Sequence, residues 1–130
     1  MREHQTEIRV RYDECDPMGF VHHSVYLRYF EIGRTELLRA CGGRYREMES
    51  EGMFVVVARA DVRYKSPARY DDLLVVTTKI AKISEVKIIH DYEVTRDTEL
   101  VATANLTMVM LDKNGTVQRI PSALIALFQD

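Results

Sequence analysis

Residues 12–39 read YDECDPMGFVHHSVYLRYFEIGRTELLR, and the change of rhythm inside this stretch decides the architecture. Its first part, Asp13 to Phe20, carries Pro17 and Gly19 among polar residues and reads as a loop. From about Ser24 to Cys41 apolar residues return every three or four positions. Tyr26, Phe30, Gly33, Leu37 and Cys41 form one stripe flanked by Leu27 and Leu38, with Arg28, Thr35, Glu36 and Arg39 opposite. That spacing predicts one long helix with a buried side, and Gly42-Gly43 supplies its stop. Gly33 on the stripe costs about 1 kcal/mol relative to alanine, a cost that close approach of the helix to a sheet would justify. Arg34 also falls within the apolar face, where an unpaired charge is expensive, and Glu31 three residues earlier is placed to pair with it.

Outward from the helix the period changes to two. Before it, Glu7 to Tyr12 alternates, with Ile8, Val10 and Tyr12 on one side and Arg9 and Arg11 on the other, and predicts an opening strand. After it, a short helix is expected over Tyr45 to Ser50, ahead of Gly52. Val56, Ala58, Ala60, Val62 and Tyr64 then alternate with Arg59, Asp61, Arg63 and Lys65, as in a long half-buried strand. Further strands are expected over Leu73 to Ile83, over Val86 to Arg96 with Val86, Ile88, Tyr92 and Val94 inward, and over Leu100 to Leu111. Asn114-Gly115 signals a two-residue hairpin turn that returns the chain through Val117 and Ile120, and Pro121 opens a short terminal helix. Short connections favour antiparallel pairing, so the fold class is α+β: about five antiparallel strands with one long helix lying on the sheet. A single sheet of this kind leaves an edge in need of a partner, which points to edge-to-edge dimerisation.

Composition narrows the function classes. A chain of 130 residues without repeats or low-complexity linkers is expected to be one domain, residues 1–130. A formal net charge of -2, with no basic clusters, argues against nucleic acid as a partner. No apolar run reaches signal-peptide or membrane-span character, so no membrane insertion and a cytoplasmic location are expected. Cys15 and Cys41 are too few for a disulfide framework and read as reduced packing residues. Cys15 adjoins Asp16, but nothing in the sequence supplies a base to activate it.

The chemistry concentrates at Asp16, a carboxylate in a Pro/Gly turn just ahead of a helix. A carboxylate beside the free N–H groups of a helix start offers a base or nucleophile together with a donor for developing negative charge. The plainer reading of Asp16 is a turn aspartate before Pro17. Tyr12, Asp16, Gly19, Val21, His23, Tyr26 and Glu31 together resemble the signature of the hotdog-fold acyl-CoA thioesterases. The Asp-Cys-Asp-Pro of residues 13–17, interrupted by Glu14, is similar to the 4-hydroxybenzoyl-CoA thioesterases. Gly19 to Tyr26, with His23, is similar to the short-chain acyl-CoA thioesterases associated with the Tol-Pal system.

The resemblance implies a long helix wrapped by a curved antiparallel sheet, and homodimers or homotetramers with active sites between subunits. It implies an acyl-CoA substrate and no metal or other cofactor. Asp16 would be the essential carboxylate, either general base or nucleophile, and the backbone N–H of His23 would polarise the thioester carbonyl. The His23 ring has a role in orienting water or none at all. Gly19, Val21, His22 and Tyr26 would border the substrate, and Lys82, Ser84 and Lys87 would meet the phosphates of coenzyme A. His22 stands where the family has an aromatic residue and Met18 where it has a small one, departures that bear on the size of the acyl pocket. A metal reading of His22 and His23, with His4, His90 or Glu31 as further ligands, is disfavoured because neighbouring side chains usually diverge. His90 reads instead as a hydrogen-bonded core histidine. The alternatives are an acyl-thioester hydratase or dehydratase of the same fold, for which Asp16 lacks a clear second acid/base partner, and a non-catalytic acyl-thioester binding module.

Overall fold

The computed structural model describes residues 2–129. In chain order it runs β1 (Glu3–Arg9), a 3₁₀ turn (Tyr12–Glu14), α1 (Val25–Ala40), α2 (Tyr45–Ser50), β2 (Phe54–Tyr64), β3 (Leu73–Ile83), β4 (Ile88–Arg96), β5 (Glu99–Leu111), β6 (Val117–Gln118) and α3 (Ser122–Leu127). All strand pairs are antiparallel, in the order β1-β3-β4-β5-β2, with β6 paired to β5. The α+β expectation holds, with a sixth, two-residue strand beyond the expected five.

Alternation in the central strands builds the core. Leu74, Val76, Thr78 and Ile80 of β3, Ile88, His90, Tyr92 and Val94 of β4, and Ala102, Leu106, Met108 and Met110 of β5 are all buried. They are covered by the inner face of α1, made of Val25, Tyr26, Tyr29, Phe30, Gly33, Arg34, Leu37 and Leu38. α1 lies over β1 and β3, and Gly33 marks the closest approach. A Cβ added there would stand 2.4 Å from Thr78 Oγ1 and 3.0 Å from Val76 Cγ1. Arg34 is buried on the same face and finds its partner in Glu31 at 3.6 Å. Burial, assisted by the Arg34 charge, pushes the His90 imidazole down to about 3, so the ring is neutral at physiological pH. His90 is a core histidine as expected, but its Nδ1 has no hydrogen-bond partner.

Several expectations are corrected in detail. β1 ends at Arg9, paired with Leu73 at the start of β3. Tyr12 leaves the sheet for the 3₁₀ turn and is exposed, although Ile8 and Val10 point inward as expected. Leu27 lies on the outer side of α1, whose buried face turns instead toward Val25 and Tyr29. β2 is an edge strand of the sheet, opposite β1, and a bulge between Val57 and Arg59 breaks its alternation. Ala58, Ala60 and Tyr64 are exposed in the single chain. Val86 belongs to the β3–β4 turn and Leu100 is partly exposed near the β4–β5 turn. The β5–β6 turn is longer than two residues. The Asp112 carboxylate accepts from the Asn114 and Thr116 N–H groups, and Gly115, at φ 81°, supplies the left-handed residue.

Candidate active site

The approach to α1 is a small two-stranded loop folded on itself. Cys15 pairs with Val21, Asp16 N–H donates to Phe20 O at 2.7 Å, and His22 N–H donates to Glu14 O at 2.9 Å. Gly19, at φ 82°, turns the chain between these two arms, with its N–H on Asp16 O. Glu14 fastens the loop to the helix, since its Oε1 accepts from Tyr29 OH at 2.8 Å and from Arg11 N at 2.7 Å. Burial, and then this carboxylate, raise the Tyr29 hydroxyl far above its ordinary range and keep it a donor. Glu14 interrupts the motif in the sequence, and its anchoring role has no local signal because its partner lies fifteen residues on.

A second loop, residues 65–72, braces the first. Val21 N–H donates to Ala68 O, Phe20 bridges to Arg69, and the Arg69 guanidinium sits 4.7 Å over the Phe20 ring. Asp72 holds this brace closed, accepting from Arg69 N at 2.8 Å and from Arg96 Nη1 at 2.6 Å, while Arg96 also donates to Pro67 O. Burial on its own would raise the Asp72 carboxyl, but the hydrogen bonds from Arg69 and Arg96 outweigh it and hold the group below its ordinary value. A carboxyl depressed in the folded state contributes stability above its unfolded pKa and loses it as pH falls through the folded one. Asp72→Asn is therefore expected to lower stability more at pH 7 than at about pH 3, measured by denaturant unfolding at the two pH values. An equal loss at both would place the effect in packing alone.

Within this frame Asp16 is partly buried. Its Oδ1 accepts from Met18 N at 2.9 Å and from Phe20 N at 3.1 Å, so the turn-aspartate geometry is real. Oδ2 accepts no hydrogen bond among the described residues. One carboxylate oxygen is thus held by backbone while the other meets no donor among the described residues. At the far end of the same ladder His22 O accepts from Val25 N at 2.9 Å, which orients the peptide carrying the His23 N–H. That N–H donates to nothing among the described residues. The ladder sets Asp16 about three residues, or about 10 Å of backbone, from the His23 position.

The flanking residues divide. Val21 and Tyr26 are buried, and Tyr26, raised to about 12 chiefly by burial, is a packing residue edge-on to Tyr29 and Tyr64. His22 is exposed, and its Nδ1 accepts from Ser24 N at 3.2 Å and meets Ser24 Oγ at 2.8 Å. It closes the helix entry in place of Ser24, which makes no side-chain cap of its own. The His22 and His23 rings do not diverge as expected but lie together, with centroids 4.1 Å apart and planes tilted by 31°. Burial raises the Cys15 thiol, so it is no activated nucleophile. Tyr64, which carries no local signal of a role here, donates its hydroxyl to His23 O at 3.0 Å from the end of β2.

Lys82, Ser84 and Lys87 are not brought to this site within one chain. They lie at the β3–β4 turn, whereas the Asp16 loop adjoins the opposite end of β3, about 33 Å away along the strand. The Ser84 hydroxyl accepts from Val86 N and Lys87 N, which shapes the turn and leaves its O–H free to donate. Arg119 adds a further exposed cation beside the turn through its 3.6 Å contact with Glu85. Around Asp16, residues Met18, Gly19, His22 and His23 are exposed in the single chain. The cavity of about 590 Å³ between the end of α1 and α2 is lined by Thr35, Arg39, Arg44 and Tyr45 among others, away from Asp16.

An antiparallel sheet wrapped on one long helix, entered through a carboxylate-bearing turn, defines the hotdog class. The thioesterase-like superfamily model matches residues 10–128, and the chain belongs to that family. An acyl-CoA thioesterase, YbgC, of Haemophilus influenzae (strain ATCC 51907 / DSM 11121 / KW20 / Rd) is 30% identical over 106 residues, covering 81% of this chain and 78% of that protein. The crystal structure of a hypothetical protein from Aquifex aeolicus superposes with a TM-score of 0.92 at 35% identity, covering 97% and 99% of the two chains. A 4-hydroxybenzoyl CoA thioesterase variant complexed with 4-hydroxybenzoyl CoA shares the fold at a TM-score of 0.90 and 21% identity, over 99% and 100% of the chains.

Proposed function

We propose that this chain hydrolyses acyl-CoA thioesters to a free acid and coenzyme A. The observation that carries the reading is the division of the Asp16 carboxylate, one oxygen held by the Met18 and Phe20 N–H groups and the other without a donor among the described residues, in the loop that also presents the His23 N–H, which meets no acceptor among them. A thioester has a good leaving group, so the reaction needs a delivered nucleophile and a donor for the carbonyl oxygen as it becomes negative. With Asp16 as general base, the carboxylate takes a proton from water as its oxygen adds to the carbonyl carbon, the C–S bond breaks, and the thiolate leaves to take up a proton. With Asp16 as nucleophile, Oδ2 itself adds and expels the thiolate, and water then opens the mixed anhydride. Both routes use the His23 N–H in the same way.

The exposed residues beside Asp16 and the unpaired edge of β2 support a homodimer or homotetramer that completes the site. A second subunit is also what could bring a Lys82–Lys87 turn within reach of a coenzyme A bound at Asp16. Gly19 and His22, exposed beside Asp16, then border the acyl group, whereas Val21 and Tyr26 are buried packing residues in the single chain. A cytoplasmic setting suits Cys15 and Cys41, which form no disulfide among the described residues.

Thiol release from short, long and aromatic coenzyme A esters tests the reaction and its substrate class together. Hydration of a 2-enoyl ester without free thiol would replace hydrolysis by a lyase activity, and tight binding without turnover would leave a binding module. For the nucleotide end, Lys82→Ala with Lys87→Ala is expected to raise KM about 10-fold for acyl-CoA while leaving KM for the corresponding truncated pantetheine thioester unchanged. Equal effects on both substrates would exclude phosphate contact at this turn.

A further inference from the structure

The His23 N–H can serve a reacting carbonyl only if the turn between the loop and α1 is held still, because a donor displaced by about 1 Å loses most of its preference for the transition state. Two peptide planes flank the His23 Cα. The first, carrying the His23 N–H, is oriented from within the turn by Val25 N–H on His22 O. The second, carrying the His23 carbonyl, is held from outside the turn by Tyr64 OH at 3.0 Å. The remaining bonds of the turn, Ser24 N and Ser24 Oγ to His22 Nδ1, are local and lie on exposed residues.

Tyr64 is oddly placed for a packing residue. It ends β2, an edge strand of the sheet, and is 51% exposed. Its ring stands edge-on to buried Tyr26, centroids 5.4 Å apart and planes at 71°, and Tyr26 stands in turn edge-on to Tyr29. Tyr29 is the residue that grips Glu14 of the Asp16 loop. A row of three tyrosines thus runs from the sheet edge to the anchor of the carboxylate loop, and the outermost hydroxyl grips the turn that carries the candidate donor.

We propose that Tyr64 is a positioning residue for thioester hydrolysis, fixing the His23–Ser24 peptide so that the His23 N–H meets the carbonyl oxygen in the transition state. The proposal rests on hydrolysis at Asp16 as set out above. It also connects assembly to catalysis, because a second chain pairing along β2 would press on the strand that ends in this side chain.

Tyr64→Phe tests it, since the ring and its contact with Tyr26 are kept and only the O–H is lost. The expected result is a kcat about 10-fold lower, with KM for acyl-CoA, the melting temperature and the oligomeric state by light scattering all unchanged. Tyr64→Leu, which also removes the aromatic contact, is expected to lower the melting temperature and so calibrates the packing contribution separately. A Tyr64→Phe kcat equal to the parent's, in a chain whose Asp16→Asn variant is inactive, would overturn the role of Tyr64 and leave the hydrolytic reading intact. A kcat loss accompanied by a matching fall in melting temperature would overturn it in favour of packing. Parental turnover in Asp16→Asn would remove the hydrolytic reading and this proposal with it.

Discussion

Asp16→Asn is expected to fold as the parent does and to lose thioester turnover by about 10²- to 10⁴-fold. Asparagine keeps the shape of the side chain and an oxygen that can accept from Met18 N and Phe20 N, so the turn survives. At the position of Oδ2 the amide places an NH₂ group, which can neither take a proton from water nor attack a carbonyl carbon. The loss falls on kcat, because the acyl-CoA contacts in the ground state do not depend on the charge of that atom. His23→Ala is expected to cost far less, because the donor assigned to residue 23 is its backbone N–H and alanine retains it. The measurement is kcat and KM for one acyl-CoA across the three proteins, with thermal melts to show that all are folded. Near-parental turnover in Asp16→Asn removes the assignment. A larger loss from His23→Ala than from Asp16→Asn would transfer the chemistry to the imidazole.

Residues 12–39 announced both the helix and the carboxylate, because each signal is local. Helical periodicity needs only Tyr26, Phe30 and Leu37 on one side of Arg28 and Arg39, and a turn aspartate needs only Pro17 and Gly19 beside it. β3 was legible to the residue for the same reason, its alternation being unbroken until the bulge after Ile80. Legibility fails where a tertiary partner overrides the pattern. Tyr12 continues the alternation of Ile8 and Val10, yet it leaves the sheet for the 3₁₀ turn, Val10 making the last backbone pairing, with Asp71 and Asp72. Ala58 and Ala60 alternate as a buried face should, but the bulge between Val57 and Arg59 breaks the alternation and both are exposed on this edge strand. Within the candidate site the split is similar. Asp16, Gly19 and His23 lie close in sequence and close in the loop, whereas the grips of Glu14 on Tyr29, Asp72 on Arg96 and Tyr64 on His23 span 15, 24 and 41 residues. No periodicity encodes such contacts. The distance of Lys82, Ser84 and Lys87 from Asp16 was hidden likewise, because a strand's length separates its two ends however well each end reads.

The largest expected effect on folding comes from Gly33→Ala. Helix propensity alone favours the substitution by about 1 kcal/mol, and on an outer face of α1 it would stabilise. Here the new methyl would stand 2.4 Å from Thr78 Oγ1 and 3.0 Å from Val76 Cγ1, both on fully buried residues of β3. Thr78 has little freedom to yield. Its side chain is β-branched, and rotation would put its own methyl toward the helix in place of the hydroxyl. Overpacking of a close-fitted core costs about 1–3 kcal/mol, and a helix forced outward would also loosen the contacts of Tyr29 and Tyr26, one and two turns away, that brace the Asp16 loop. The expected net result is a loss of about 2 kcal/mol and a melting temperature lower by about 8 °C, with kcat falling as the loop loosens. A double-mutant cycle isolates the cause. Thr78→Ala removes the atom at 2.4 Å, and because Thr78 Oγ1 has no hydrogen-bond partner its loss leaves no buried group newly unpaired. In that background Gly33→Ala is expected to cost at least about 1 kcal/mol less. Strict additivity would mean that the clash lies elsewhere, and a stabilised Gly33→Ala would mean that α1 does not touch β3 at this residue.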